Sequence, residues 1–267
     1  MNRRLSSAIR QTRRLKGDIT LILSACVLVS LVAVGQTRAS QTPDAAPTAE
    51  EILHSAEVAM GSEVARANIR SISAVAECRG PKGFYQTRLI SDRDGNLSFQ
   101  QFLSDHKNIA GIANGRGWQL NDNGRYEWID APETFVLRGH EFQVMALDLT
   151  KRFHDFKATG RAEFDGKPTN RIDMVDELGH TASGYFSLTS LLPVGLIVTN
   201  PPDTGARTIT IQFDGWRLTG GVNLVSHVTI LQGSDKWVFD FKVLTLNAAD
   251  NASFQIPASL VASQQTN

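Results

Sequence analysis

Trp237-Val238-Phe239-Asp240-Phe241-Lys242-Val243 is the stretch on which the fold turns. Large apolar side chains fall on every second residue, with Asp240 and Lys242 between them. Successive side chains of a strand point to opposite faces, so Trp237, Phe239, Phe241 and Val243 are expected on one buried face. A strand wet on one side and buried on the other is the habit of antiparallel sheets. The same period recurs at Leu97-Ser98-Phe99-Gln100, and from Thr208 to Phe213, where Ile209, Ile211 and Phe213 share a face. Turn dipeptides separate the runs: Asp94-Gly95, Asn123-Gly124, Asp165-Gly166, Asp214-Gly215 and Gly220-Gly221. Asn123-Gly124 gives the best hairpin signal, because it sits between Trp118/Leu120 and Tyr126/Trp128.

Helical spacing appears in two places. Thr48 and Glu51 have the spacing of a capping box, and Ile52, Leu53, Ala56, Ala59 and Met60 follow as one apolar stripe up to Gly61. Ser62 to Ile69 reads as a second short helix. In the middle of the chain, Asp130, Pro132 and Glu133 mark another start, and Phe142, Met145, Ala146, Leu149 and Phe153 supply its stripe. These signals predict a mainly β (α+β) domain of about ten or eleven strands and two or three helices, without internal repeat.

The N-terminal segment reads as an export signal. Arg3, Arg4, Arg10, Arg13, Arg14 and Lys16 precede an uncharged, largely apolar stretch from Ile19 to Gly35. Cleavage is expected near Gly35 or Ala39, giving a signal at 1–39, a polar spacer at 40–47, a domain at 48–260 and a disordered tail at 261–267. The protein is then periplasmic or secreted. The rivals are an uncleaved membrane anchor, lipidation at Cys26 in Leu23-Ser24-Ala25-Cys26, and a twin-arginine signal at Arg13-Arg14. The run before Cys26 is shorter than the one after it, and Lys16 stands where a twin-arginine signal prefers an apolar residue.

The formal net charge is zero over 267 residues, so nothing argues for a nucleic-acid partner, whose usual footprint is a basic stripe, and none is expected. Cys78 is the one cysteine expected in the mature domain, and it reads as a half-buried strand residue. The six histidines are scattered, with no His-x-x-x-His, Cys-x-x-Cys, Gly-x-Ser-x-Gly or Gly-x-Gly-x-x-Gly pattern. No catalytic residue, cofactor or metal is therefore assigned. Asp173, Asp176, Glu177 and His180 come nearest to a metal set and read as a solvated loop between strands. His227, in Val225-Ser226-His227-Val228, reads as an outward strand residue, the alternative being a buried polar group in a cavity.

The order of these features resembles a known family. A capped opening helix ends in Ala59-Met60-Gly61. Gly117-Trp118 and the Asn123-Gly124 turn come next, then a helical insertion. Tyr185-Phe186-Ser187-Leu188, Leu191-Leu192-Pro193-Val194, Phe213-Asp214-Gly215-Trp216 and Phe254-Gln255-Ile256-Pro257 complete the set. From roughly Pro47 to Leu260 the chain is similar to the LolA/LolB-like superfamily of periplasmic lipoprotein carriers, above all to its divergent outer membrane lipoprotein-sorting relatives. Gly61 stands alone where relatives often have a glycine pair, Val225 replaces a common proline, and no polar cavity residue of the carriers has a counterpart here.

The resemblance implies a strongly curved antiparallel sheet, an incomplete β-barrel, wrapped around helices with an apolar cavity for acyl chains. Alternation offers Leu97, Phe99, Trp118, Ile211, Leu224 and Phe239 as its lining. The expected function is that of a non-enzymatic carrier for a lipid or acylated lipoprotein, with a transient membrane-protein partner. The alternatives are an envelope-stress sensor module of the same fold and a hydrolase.

Overall fold

The computed structural model describes residues 46–199, 208–250 and 252–264. The expected signal at 1–39 and its cleavage sites lie outside them, as does most of the spacer. Local chemistry sets the first helix. Thr48 Oγ1 accepts from the Glu51 amide at 3.2 Å, and Glu51 Oε2 accepts from the Thr48 amide at 2.8 Å. This capping box satisfies amides that the first turn leaves free. It heads α1 (Ala49–Met60), whose buried stripe is Ile52, Ala56 and Met60. The short α2 (Glu63–Ala67) follows, N-capped by Ser62.

The strands come in two runs. The first comprises β1 (Ser71–Gly80), β2 (Gly83–Asp92), β3 (Leu97–Phe102), β4 (Lys107–Ala113), β5 (Arg116–Leu120) and β6 (Tyr126–Trp128). The second comprises β7 (Phe153–Phe164), β8 (Lys167–Asp176), β9 (Thr181–Ser187), β10 (Pro193–Thr199), β11 (Thr208–Thr219), β12 (Val222–Gln232) and β13 (Asp235–Leu246). All thirteen pair antiparallel in one sheet, in the order β6-β5-β4-β3-β2-β1-β13-β12-β11-β10-β9-β8-β7. Each run is a meander of hairpins, and β1 against β13 joins the two. Thirteen strands among the described residues exceed the expected ten or eleven.

The sheet is open, with β6 and β7 as its edges, and it curls. Twelve residues make α1 about 18 Å long, yet α1 contacts both β12 and β7. Flat, those strands would stand about 24 Å apart at the usual interstrand spacing. Curling brings Ile72 and Cys78 of β1, Phe239 of β13, Ile211 of β11, Met174 of β8 and Phe153 of β7 into one core with Ile52 and Ala56.

The helical insertion runs from edge β6 to edge β7. The spacing predicted one helix; the chain forms α3 (Ala131–Arg138), α4 (Phe142–Leu147) and a 3-10 turn at Leu149–Lys151. Asp130 and Glu133 close a second capping box at the head of α3. Gly139 ends α3, and the chain turns through His140 and Glu141 before α4 starts without a side-chain cap. Phe153, the last residue of the expected stripe, opens β7 instead. With α5 (Ala258–Gln264) the helices number five among the described residues. That last helix occupies part of the stretch expected as a disordered tail, and its Leu260 is buried.

Two strand expectations need correction. Phe239 and Phe241 are buried, but Val243 is 50% exposed and Leu244 is buried in its place. Ala76 pairs with Phe241 and Val75 with Val243, so Lys242 is an extra residue with no partner across the ladder. Such a bulge shifts the alternation by one residue beyond it. Arg217 of β11 holds the bulge, donating from Nη2 to Phe241 O and from Nη1 to Lys242 O, each at 3.1 Å. Asp214-Gly215 is not a turn: it lies inside β11, where Gly215 takes φ 66° without breaking the pairing to β12. Asn123-Gly124 does turn the β5–β6 hairpin, pairing Trp118 with Trp128 and Leu120 with Tyr126.

Candidate functional site

The six residues expected to line a cavity all face inward, and none is more than 7% exposed. They fall into separate places. Ile211, Leu224 and Phe239 belong to the main core, whereas Leu97 and Phe99 form a smaller one with Leu89, Ile112 and Leu137. Trp118 packs edge-on against Tyr126, ring centres 5.6 Å apart. One ring connects the two cores: His140 lies 4.7 Å from Phe99 and 6.3 Å from Phe239, centre to centre. Phe142, heading α4, stands 5.1 Å from Phe239 and 6.2 Å from Phe241. So α4 fills the concave face, and Gln143 ties it to β12 through Nε2 donating to Val225 O at 3.2 Å.

The junction between α3 and α4 carries buried charge. Glu141 is 3% exposed, and its Oε2 lies 3.7 Å from Arg138 Nη1. Burial pushes its carboxyl up to about 7, against the pull of Arg138 and Arg152. Arg152, 8% exposed, donates from Nη1 to Arg138 O at 2.9 Å, and burial holds its guanidinium below the ordinary arginine range. Burial likewise lowers His140. Sequence reasoning passed over this cluster, since His140-Glu141 carries no motif.

An open pocket of about 300 Å³ lies beside that junction, between α2 and α4 and over the ends of β1 and β2. Ile69, Ile72, Val144 and Leu147 give it an apolar wall. Arg66, Arg70, Arg93 and Lys151, with Glu63, Asp92 and Asp148, give it a charged rim. Ser91, 1% exposed, also lines it, and its Oγ has no hydrogen-bond partner among the described residues. None of the six expected lining residues borders this pocket. Its walls come from three stretches of chain far apart in sequence, so no local signal announced it.

Other candidates take structural places. Asp176 is fully buried and caps the β8–β9 turn, accepting from the amides of Leu178 and His180 and meeting His180 Nδ1 at 2.9 Å. Asp173 turns instead to Arg171 and Ser183. No group of three His, Cys, Asp or Glu that could hold a metal occurs among the described residues. Cys78 is fully buried rather than half-buried. Burial pushes its thiol up to about 11, so the reactive thiolate is suppressed. His227 is half-buried, in register between Asp214 and Asp240.

The described residues form an open, curled antiparallel sheet with helices on its concave side and a pocket of mixed apolar and charged lining. In fold it is similar to solved structures that include a LolA superfamily protein. A LolA superfamily protein from Nitrosomonas europaea superposes with a TM-score of 0.56 at 12% identity, over 79% of this chain and 99% of that one. A DUF1329 family protein from Desulfovibrio piger gives 0.54 at 12% identity, over 78% and 99%. A domain titled as an outer membrane lipoprotein-sorting protein, from Vibrio parahaemolyticus, gives 0.51 at 10% identity, over 78% and 97%. No protein-family model matches the sequence, and no curated protein matches it.

Proposed function

We propose that this chain is an exported, non-enzymatic binding or carrier protein for an acylated ligand, a lipid or a lipidated protein. The supporting observation is the pocket beside α4, whose apolar wall continues into the core: Ile72 is a core residue, and Val144 and Leu147 pack against it. A pocket of about 300 Å³ is at the small end of ligand sites, so a long chain needs more room. The rest of the interior is covered by α4, a six-residue helix without a side-chain cap, with Phe142 in the middle of the aromatic core. In this reading an entering chain displaces α4 and then meets Phe239, Leu224 and Phe99. Each methylene buried contributes about 0.8 kcal/mol, less the cost of ordering the chain. The fold's relatives, one of them titled as lipoprotein-sorting, point the same way.

Titration of the mature protein with a fluorescent fatty acid tests this. Saturable binding, weakened by Leu147→Asp with folding intact, is the expected result. Absence of binding to the wild type would leave a protein-binding module of the same fold.

A further inference from the structure

We infer that the pocket between α2 and α4 is a head-group site, which takes a carboxylate or phosphate carried on an apolar stem. The inference rests on the acyl-binding reading for the stem and on the pocket's own charges for the head.

The rim holds four cations and three carboxylates, but most are already engaged. Arg66 donates from Nε to Gly61 O at 3.2 Å and pairs with Glu57 at 3.3 Å. Arg93 donates from Nη2 to Arg66 O at 2.8 Å. Asp92 accepts from the amides of Asp94 and Asn96 and from the Asn96 side chain, closing the β2–β3 turn. Asp148 accepts from the amide and hydroxyl of Thr150. Arg70, Lys151 and Glu63 make no side-chain hydrogen bond or ion pair among the described residues. Glu63 stands in the first turn of α2, where free amides favour a carboxylate. Arg70 and Lys151 therefore line the pocket with no side-chain hydrogen bond or ion pair among the described residues, beside the unpaired carboxylate of Glu63.

Ser91 points to a ligand independently of those charges. A buried hydroxyl without a partner is unfavourable, and an oxygen of a bound head group is the partner it lacks. The segment carrying Arg70 is also held in place. Asn247, just past β13, accepts from the Arg70 amide at 2.6 Å and the Ser71 amide at 3.3 Å, and donates to Asn68 O at 3.0 Å. Behind the rim, Ile72, Val144 and Leu147 lead into the core. An anion would thus bind at the mouth with its stem directed inward.

Calorimetry separates the possibilities, using decanoate, decyl phosphate, decanol and inorganic phosphate below their aggregation limits. Wild type is compared with the Arg70→Gln/Lys151→Gln double variant, both residues being exposed and thermal unfolding confirming that the fold is kept. The expected result is that decanoate and decyl phosphate bind about tenfold or more tightly than decanol, as charge-assisted hydrogen bonds allow. That preference should vanish in the double variant. Equal binding of decanoate and decanol, or a preference the double variant retains, overturns the head-group site and leaves the acyl reading standing. Binding of inorganic phosphate without any amphiphile, abolished in the double variant, keeps the anion site but assigns it to a free anion and defeats the acyl reading. Binding of nothing overturns both.

Discussion

The concave interior under α4 and the pocket between α2 and α4 are neighbours built on opposite terms. The interior is made of residues whose alternation is plain in the sequence, and it is filled: Phe142 sits among Phe239, Phe241 and His140. The pocket is assembled from the α2–β1 link, the end of β2, α4 and Lys151, and it stays open. Alternation reports which way a side chain faces. It does not report whether the space it faces is occupied, because that depends on another element arriving there. The six expected lining residues illustrate the difference, since all face inward and none borders the open space.

The sharpest contrast within the interior lies two residues apart on β13. Phe241→Ala should cost about 3–5 kcal/mol, through lost transfer energy and the cavity left behind. Val243→Ala, beyond the bulge and half exposed, should stay within about 0.5 kcal/mol. Urea unfolding of both variants checks this, and similar losses would mean that the alternation runs through Lys242 unbroken.

Glu141, between the two regions, should show in pH dependence. Its folded carboxyl titrates at about 7 against an ordinary 4.5, so the native state keeps a proton that the unfolded chain releases. The stability from this group is complete below about pH 4.5 and is lost as pH rises through 7. His140 works in the opposite sense: its lowered folded value favours the neutral ring, and that stability is lost as pH falls below 6.5. Comparing Glu141→Gln with wild type isolates the carboxyl. The variant should be more stable at pH 8, by something on the order of 3 kcal/mol, and the difference should close by pH 4.5. A less stable variant at pH 8 would show that the ion pair with Arg138 and the attraction of Arg152 outweigh burial.

The smallest effect concerns the bulge. Arg217→Ala removes two donors to its carbonyls at an exposed site, and should lower stability by about 1 kcal/mol. Hydrogen exchange should rise at the bulge and not in the β1–β2 ladder. No change at the bulge would mean that pairing with β1 alone sets it.

What was legible in the sequence was what nearest-neighbour chemistry decides. Thr48 and Glu51 close their box three residues apart, Asn123-Gly124 turns its own hairpin, and β13 alternates as far as Phe241. The missed features answer to distant partners. Lys242 bulges because of how β1 pairs and because Arg217 reaches across from β11. The expected middle helix breaks at Gly139, where burial of His140 between Phe99 and Phe239 is gained. Asp214-Gly215 has the composition of a turn, but β12 pairs straight past it. At the candidate site, Arg70, Ser91 and Lys151 were invisible for the same reason, as their proximity is a product of topology alone.

The pairing of β1 with β13 has a kinetic meaning. Every other neighbour pair in the sheet joins strands consecutive in the chain, so those hairpins can form early over short loops. Only at this seam, where Ile72 meets Leu246, must the ends of the domain find each other. Loop closure over such a length costs little more than over half of it, but it comes last. Until it does, each half-sheet shows a ten- or twelve-residue edge that a second copy can satisfy with the same register. At high concentration, refolding can therefore trade the two halves between molecules, giving a dimer that repeats every native hydrogen bond of the monomer.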